Sequence, residues 1–194
     1  MSKPVIVAIC GKSATGKDTL AKLIYNDLNR QGIAANLIIS DTTRELRDNE
    51  TKGVDYNFLD KITFLQKAIN KEYLEYTKFR GWYYGTPKSA IKENEINIGG
   101  FNVQGLRSLL EYKKDYRIVV VYLEASLKTR LQRSHDREYK WKLEFFRRAW
   151  VDHRDFENIN NLVWSFNHHI HLGEFETLNN KLLRVEKYLE MVIE

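Results

Sequence analysis

Residues whose types and spacing suit phosphate chemistry lie near the amino terminus. Gly11, Gly16 and Lys17 form the pattern Gly-x-x-x-x-Gly-Lys, which is typical of a phosphate-binding loop. The glycines let backbone N–H groups surround one concavity, and the helix that follows adds its positive end. The lysine supplies a mobile positive charge that can follow a phosphoryl group during transfer. The residues predicted to bind the nucleotide are Gly11, Lys12, Ser13, Ala14, Thr15, Gly16, Lys17, Asp18 and Thr19.

This loop ends differently from most phosphate-binding loops. Asp18 stands directly after the lysine, where a serine or threonine commonly coordinates magnesium, and the first hydroxyl group follows one residue later, at Thr19. We therefore predict Thr19 as the metal-binding residue. A chance glycine turn is the alternative, and the strand and helix predicted on either side of the loop argue against it.

The elements that must position this loop are a buried strand before it and a helix after it. Residues 5–9 are apolar and largely β-branched, which predicts the strand, and the residues after the loop have a helical pattern. Apolar runs at 34–39 and 117–123 predict two more buried strands. Strands separated by helices favour a parallel sheet with right-handed crossovers. Residues 41–86, which contain an amphipathic helix and a predicted strand at 73–79, would form a small lobe inserted into this sheet.

The composition suits one domain. The chain has 194 residues, two prolines and no apolar stretch long enough to cross a bilayer. Cys10 is the single cysteine, which excludes an internal disulfide and fits a reducing compartment. The amino terminus runs directly into the first predicted strand instead of forming a signal peptide, so we expect a cytoplasmic protein. The net charge of +5 fits a cleft for phosphorylated nucleotides, and without a recognised binding module we do not favour nucleic acid as a partner.

Three histidines near the carboxyl end raise the question of a metal site. Neither a cysteine nor a spaced acidic residue completes a ligand set with His168, His169 and His171, so a strand edge near the adenine pocket is favoured over zinc. The pattern of residues 178–193 predicts a closing helix. The sequence leaves a monomer and a homodimer both open.

Several segments of the chain resemble guanylate kinases in order and spacing. Residues 40–58 begin S-x-T-T-R-x-x-R, and they resemble the acceptor-binding segment of that family at its usual distance from the phosphate-binding loop. Residues 72–76 and 82–86 resemble the family's glutamate and its Tyr-Gly-Ser/Thr turn, and residues 102–105 form a weaker match. The similarity covers most of the first 130 residues.

This resemblance implies a fold, a division of the chain and a reaction. The fold would be an α/β three-layer P-loop NTPase fold with a parallel sheet, in one domain over residues 1–194. Residues 1–40 and 87–194 would form the core, residues 41–86 the insert that binds the nucleoside monophosphate, and residues from about 133 to 147 a short lid. The implied reaction transfers the γ-phosphoryl group of ATP to GMP or dGMP, with Mg²⁺ as the second cofactor.

Charged and hydroxyl side chains in the matching segments suit one bound nucleotide. Guanidinium groups and phenols suit a phosphate dianion. Glu75 can accept two hydrogen bonds from guanine, whereas adenine presents a lone pair at its N1. A surface loop of solvated charges is the alternative, and two segments matched in order and spacing argue against it. The residues assigned to the acceptor by the resemblance are Ser40, Arg44, Arg47, Tyr56, Glu75, Tyr84, Thr86 and Asn102.

Arginines that follow the last predicted buried strand resemble the lid arginines of the family, which neutralise charge on the transferring phosphoryl group. By position we favour Arg133 and Arg148. The alternative is that these arginines are solvated and stand between aromatic residues of a helix core. Together with Lys17 and Arg44, the two lid arginines form the predicted catalytic set.

One stretch departs from the family pattern. Where guanylate kinases have aspartates near the junction of donor and acceptor, this chain has Gly99, Gly100 and Asn102. Two other functions therefore remain open. One is a kinase of the same fold with another nucleoside monophosphate or a ribose bisphosphate as acceptor, and the other is a catalytically silent guanylate-kinase-like module that binds proteins. Glu75 favours guanine, and the intact Lys17 and acceptor arginines favour an enzyme.

Overall fold

A parallel sheet built around the apolar run before the phosphate-binding loop forms the centre of the fold. The computed structural model describes residues 3–47, 50–79, 81–137 and 142–193. The middle strand, β1 (Val5–Gly11), is buried at every residue because its apolar side chains pack on both faces of the sheet. In spatial order the strands are β2 (Ala35–Leu37), β7 (Ile96–Phe101), β1, β8 (Arg117–Leu123) and β9 (His168–Leu172), all parallel.

Helices cover both faces of this sheet. Odd-numbered residues of β1 pack with the first and last helices of the chain, and even-numbered residues pack with the third and sixth, as side-chain alternation along a strand requires. The predicted three-layer α/β fold is therefore confirmed. Among the described helices, none combines the length and the apolar character needed to span a bilayer. The helices are α1 (Lys17–Arg30), α2 (Lys61–Ile69), α3 (Val103–Leu109), α4 (Leu127–Arg137), α5 (Lys142–Asp155), α6 (Ile159–Trp164) and α7 (Leu178–Ile193), with short 3₁₀ helices at Lys88–Ala90 and Leu110–Tyr112.

The second strand is shorter than the sequence pattern indicated. The apolar run predicted a strand over 34–39, but the strand ends at Leu37. The N–H of Ile38 still donates to the carbonyl of Ile98 at 2.8 Å before the chain leaves the sheet. Ile38 remains buried because it packs over β7, where a Cβ at Gly99 would lie only 3.0 Å from it. The apolar pattern predicts burial, and here burial extends one residue past Leu37, the last residue of the strand.

A second, smaller sheet is formed by residues 41–87, one residue beyond the predicted insert of residues 41–86. Its spatial order is β4 (Asn57–Phe58), β3 (Asp41–Thr42), β6 (Trp82–Pro87) and β5 (Tyr73–Phe79). β3 pairs parallel with β4 and antiparallel with β6, which also pairs antiparallel with β5. Asp60 caps α2 by accepting the N–H of Thr63 at 2.9 Å.

A buried carboxylate holds this small sheet together. Asp41 is only 1% exposed, and it accepts hydrogen bonds from the Tyr73 hydroxyl and the Asn57 amide, both at 2.9 Å. Lys67 of α2 forms an ion pair with the same carboxylate, and Phe64 of α2 stacks on the Tyr73 ring with centroids 4.6 Å apart. These contacts link strands β3, β4 and β5 to α2. The sheet and its helix are therefore held together by a buried polar network centred on Asp41.

Candidate active site

The phosphate-binding loop joins β1 to α1 and is already shaped for an anion. Gly16, the residue before α1, has a φ of +100°, a left-handed conformation that favours glycine. Lys17 folds back across the loop, and its Nζ donates to the carbonyl oxygens of Gly11 at 2.8 Å and Lys12 at 3.3 Å. Loop carbonyls therefore hold the ammonium group at the concavity where a nucleotide's phosphate oxygens would bind.

A buried ion pair between two helices holds the phosphate-binding loop in place. Asp152 of α5 accepts hydrogen bonds from the backbone N–H of Ser13 at 2.8 Å and from its hydroxyl at 3.2 Å. Arg130 of α4 donates to the same carboxylate, with Nη1 3.2 Å from Oδ2. Both charged side chains are buried, so each needs the other for charge compensation. The pair attaches the first half of the loop to two helices that lie far away in sequence.

Asp152 is a residue that the sequence analysis missed, although a signal for it exists. Phe145, Asp152 and Phe156 recur at helical spacing and are all buried. A carboxylate at the same helical spacing as two buried phenylalanines must find a buried partner, because an unpaired buried charge is costly. An acidic residue at that spacing could have marked α5 as part of the site.

Of the two predicted lid arginines, only Arg133 has a side chain that the structure describes. Arg133 lies beside the loop, with its Nη1 2.9 Å from the carbonyl of Thr15 and 3.8 Å from the position that a Cβ at Gly16 would take. Arg148 belongs to α5, but its side chain lies outside the described residues. Residues 138–141 of the predicted lid also lie outside them. The catalytic role of both arginines stays a prediction.

An arginine and two tyrosines that were predicted to bind the acceptor phosphate come together beside the small sheet. Arg44 donates from Nη2 to Oε1 of Glu50 at 2.7 Å and lies over the Tyr56 ring, with Cζ 5.6 Å from the centroid. The Tyr56 and Tyr84 rings meet edge to face, with centroids 6.1 Å apart. We call Arg44, Tyr56 and Tyr84 the acceptor-phosphate cluster. Its donors form one guanidinium fork and two phenols, which suits a tetrahedral dianion.

Burial and nearby charges keep Tyr56 and Arg44 in their donor forms. Burial raises the pKa of Tyr56, and the negative charge of Asp18 raises it further. Burial acts to lower the pKa of Arg44, but its bond to Glu50 outweighs this and the pKa is raised. Arg47 also meets Glu50, through its backbone N–H at 3.1 Å and Nη1 at 3.8 Å. Glu50 therefore holds both predicted arginines in place, and the phosphate role of Arg47 remains a prediction.

One face of the small sheet carries the remaining acceptor residues. Tyr83 and Gly85 of β6 pack against Phe64 of α2, with ring centroids of Tyr83 and Phe64 5.4 Å apart. Strand alternation therefore turns Tyr84 and Thr86 to the opposite face. The acceptor-phosphate cluster and the predicted base-binding hydroxyl thus share one side of the sheet.

The predicted base-binding carboxylate lies on that side. Glu75 and Thr86 are cross-strand partners, and the Thr86 hydroxyl donates to Oε1 of Glu75 at 2.7 Å. Burial raises the pKa of Glu75 to about 7, and the hydrogen bonds from Thr86 partly oppose this shift. Ser40 contributes its carbonyl oxygen to the N–H of Asn57 at 2.9 Å, and its contact with the base stays a prediction.

Glu75 reaches across to the core, where a glycine makes room for it. Its Oε2 lies 2.8 Å from the position that a Cβ at Gly105 would occupy in α3. Replacing Gly105 by alanine is expected to lower kcat/KM for GMP by about 10- to 100-fold, because the methyl group displaces the carboxylate. Helix propensity favours alanine over glycine by about 1 kcal/mol, which offsets part of the cost of the buried clash, about 1–3 kcal/mol.

Steady-state kinetics and the melting temperature, measured on the same preparation, test this expectation. Gln104→Ala is the matched control, since Gln104 is exposed on the same helix. Unchanged GMP kinetics in Gly105→Ala would contradict the assignment of Glu75 to the acceptor.

Asn102, which was predicted to bind substrate, has a structural position at the junction of the two sheets. Its Oδ1 accepts the N–H of Gly105 at 2.7 Å and caps α3, and its Nδ2 donates to the Thr77 hydroxyl of β5 at 3.1 Å. Both ends of the amide are therefore engaged within the protein. The structure supports a role for Asn102 in joining the small sheet to the core, and a direct substrate contact remains untested.

Comparison with known proteins identifies the family to which this chain is similar. The family model described as guanylate kinase matches residues 1–183. The guanylate kinase of Mycoplasmoides gallisepticum is 32% identical over 187 residues, which cover 84% of this chain and 93% of that protein. The guanylate kinase of Helicobacter hepaticus is 35% identical over 120 residues, or 60% of this chain and 58% of that protein.

A solved structure shows the same fold. The crystal structure of guanylate kinase from Anaplasma phagocytophilum aligns over 98% of this chain and 87% of that one, with a TM-score of 0.63 and 16% identity. Its low identity supports the fold alone, whereas the family model covers nearly the whole chain. The sequence predicted this membership from its phosphate-binding loop and acceptor segments, and the prediction is confirmed. The chain belongs to the guanylate kinase family.

Proposed function

We propose that this protein transfers the γ-phosphoryl group of ATP to GMP, giving ADP and GDP. The observation that carries the proposal is the placement of the Glu75–Thr86 pair on the same face of the small sheet as the acceptor-phosphate cluster. One nucleoside monophosphate could therefore meet a base-binding carboxylate at one end and a phosphate-binding cluster at the other. Family membership agrees with this arrangement.

The base end of the site favours guanine over adenine for a simple reason. Guanine presents two donors, N1–H and its exocyclic amine, to a carboxylate acceptor such as Glu75. Adenine presents a lone pair at N1, so the buried carboxylate would face another acceptor and lose its hydrogen bonds. Thr86 already donates to one carboxylate oxygen and so orients the group before the base arrives.

At the other end, the protein supplies position and charge. Arg44, Tyr56 and Tyr84 would hold the acceptor phosphate, while the loop N–H groups and Lys17 hold the donor phosphates. An oxygen of the GMP phosphate attacks the γ-phosphorus of ATP and the bond to the bridging β–γ oxygen breaks, so the protein itself need not provide a nucleophile. We assign Arg133 to the developing negative charge, because it already lies beside the loop.

The residues beside the loop fit a magnesium ion as the second cofactor. Asp18 and Thr19 both lie exposed in the first turn of α1, and position 100 is a glycine that leaves open space next to Asp18. No group of three or more acidic, histidine or cysteine side chains suited to a metal occurs in the described ranges. This fits magnesium, which takes one or two protein groups and binds mainly to substrate phosphates. When bound, it would neutralise charge between the β- and γ-phosphates.

The proposal is tested by ADP release from ATP and magnesium with a panel of acceptors. The panel contains GMP, dGMP, AMP, CMP, UMP, dTMP and ribose bisphosphate, with Lys17→Ala as the matched variant. We expect turnover with GMP and dGMP alone, and a loss of about 100- to 1,000-fold in kcat for Lys17→Ala. Turnover with another acceptor would contradict the assignment of guanine, and no turnover with any acceptor would contradict the kinase assignment.

A further inference from the structure

The carboxylate of Asp18 faces an open space beside Gly100, near the end of strand β7, which we call the groove. Its Oδ1 lies 3.5 Å from the position that a Cβ at Gly100 would take, and within the described residues it is the only atom that such a Cβ would meet inside 4 Å. Gly100 stands beside Ile9 of β1 in the sheet register and is exposed. Asp18 therefore reaches the space that a side chain at position 100 would otherwise fill.

This groove lies between the donor and acceptor halves of the proposed site. Asp18 directly follows Lys17 of the phosphate-binding loop, and its charge also acts on the phenol of Tyr56 in the acceptor-phosphate cluster. Among the described residues, no donor binds the Asp18 carboxylate. A bare negative charge would thus face two phosphate groups as they approach each other. Such an arrangement is repulsive unless a cation lies between the carboxylate and the phosphates.

We propose that Asp18, and not Thr19, is the protein ligand of the magnesium ion in this active site. The inference rests on the proposed ATP site and names the residue that completes it. Carboxylate oxygens are preferred ligands of magnesium, and Asp18 points its carboxylate into the groove. Thr19 is one residue further along α1 and so is rotated by about 100° around the helix axis, away from the direction that Asp18 takes.

Loss of the Asp18 charge should change the affinity for the nucleotide in opposite directions with and without the metal ion. With metal present, loss of the Asp18 charge removes a ligand and weakens binding. Without metal, loss of the same charge removes a repulsion and strengthens the binding of the nucleotide alone. A variant that merely damaged the loop would weaken both forms together, so the pair of measurements separates the two explanations.

The experiment compares Asp18→Asn and Thr19→Ala with the unaltered protein. Isothermal titration gives the affinity for ADP both with Mg²⁺ and in the presence of EDTA, and electron paramagnetic resonance of free Mn²⁺ gives the metal affinity of the ADP complex. We expect Asp18→Asn to lower Mn²⁺ affinity by about 10-fold or more and to tighten metal-free ADP binding. We expect Thr19→Ala to change Mn²⁺ affinity by less than about 2-fold.

A rescue variant sharpens the test. Position 100 can take a side chain, since its Cβ would meet Asp18 at an ordinary contact distance and its φ is not in the left-handed region. Asp18→Ala should lower Mn²⁺ affinity, and Asp18→Ala/Gly100→Asp should return it to within about 3-fold of the unaltered protein, because the carboxylate is restored from the opposite side of the groove. No recovery would contradict the groove as the metal position.

Other outcomes would also overturn the inference. These are an unchanged Mn²⁺ affinity in Asp18→Asn, a loss found in Thr19→Ala instead, or weaker binding of ADP both with and without metal. If the unaltered protein bound no ADP, the proposed ATP site would fail and this inference with it. If ADP bound normally and only the metal result failed, the proposed function would stand and Asp18 would lose its assignment.

Discussion

Replacing Glu75 by glutamine is expected to lower kcat/KM for GMP by about 100-fold. The amide has one acceptor oxygen and no charge, so one guanine donor loses its partner and the other loses a charge-assisted bond, a cost of about 3 kcal/mol. The NH₂ group of glutamine can instead donate to the N1 of adenine. The ratio of kcat/KM for GMP to that for AMP should therefore fall by more than the GMP value alone, and steady-state kinetics with both acceptors measures it.

The pH dependence gives this prediction a control. Burial raises the pKa of Glu75 to about 7, so below that pH the carboxyl group of the free enzyme is protonated and keeps only one acceptor oxygen, without charge, for the two guanine donors. We expect kcat/KM for GMP to rise with pH through about 7, since this ratio reports the free enzyme. In Glu75→Gln the corresponding rise should disappear. A rise with the same midpoint in the variant would contradict the assignment.

The same pKa fixes the sign of an effect on stability. The folded-state pKa of Glu75 lies above its value of 4.5 in an unfolded chain, so the protonated carboxyl stabilises the fold fully below pH 4.5. That contribution is lost as the pH rises to about 7. Glutamine stays neutral, so Glu75→Gln should unfold at the same or higher urea concentration than the unaltered protein at pH 8. Lost activity in that variant could then not be attributed to unfolding.

Replacing Asp152 by alanine is expected to lower the free energy of unfolding by about 3–5 kcal/mol. The change leaves Arg130 buried without a counter-charge and removes the acceptor of the Ser13 N–H. Urea denaturation measures the loss. Asp155→Ala is the matched control on the same helix, because Asp155 is exposed and such surface changes stay within about 0.5 kcal/mol.

A double variant separates stability from function at this ion pair. Arg130→Met/Asp152→Leu removes both charges, so it should regain most of the stability that Asp152→Ala loses. It cannot restore the acceptor of Ser13, so we expect its affinity for ATP to stay below that of the unaltered protein. A double variant with normal ATP affinity would show that Asp152 does not hold the loop for nucleotide binding.

Local patterns predicted much of the fold. The strands expected at 73–79 and 117–123 occur with those bounds, and the expected closing helix is α7. Each of these elements is set by side chains close together in the chain. The second strand was overpredicted because its apolar run continues into residues buried outside the ladder, and hydropathy alone cannot distinguish the two situations.

The candidate site was predictable only where a motif contained it. The loop from Gly11 to Thr19 has a local signature, whereas the bond between Ser13 and Asp152 joins residues 139 positions apart. Asn102 was predicted as a substrate ligand from its position in a matching segment, and that role stays a prediction; its type did not reveal that its amide caps α3 and bonds to β5. Contacts between distant elements depend on the packed structure, and a residue's type does not reveal which of its possible partners it meets.

The Asp41 network in the small sheet fixes the length of acceptor that the site can bind. Tyr84 and Thr86 lie two residues apart on one strand, so their positions along it differ by about 7 Å, and the Asp41 network ties that sheet to α2. The phosphate end and the base end of the acceptor are therefore held at a set separation, whatever the position of the sheet relative to the core. The sheet would therefore select acceptors by length. It would bind a nucleotide whose phosphate and base match that spacing and would reject shorter or longer molecules before phosphoryl transfer.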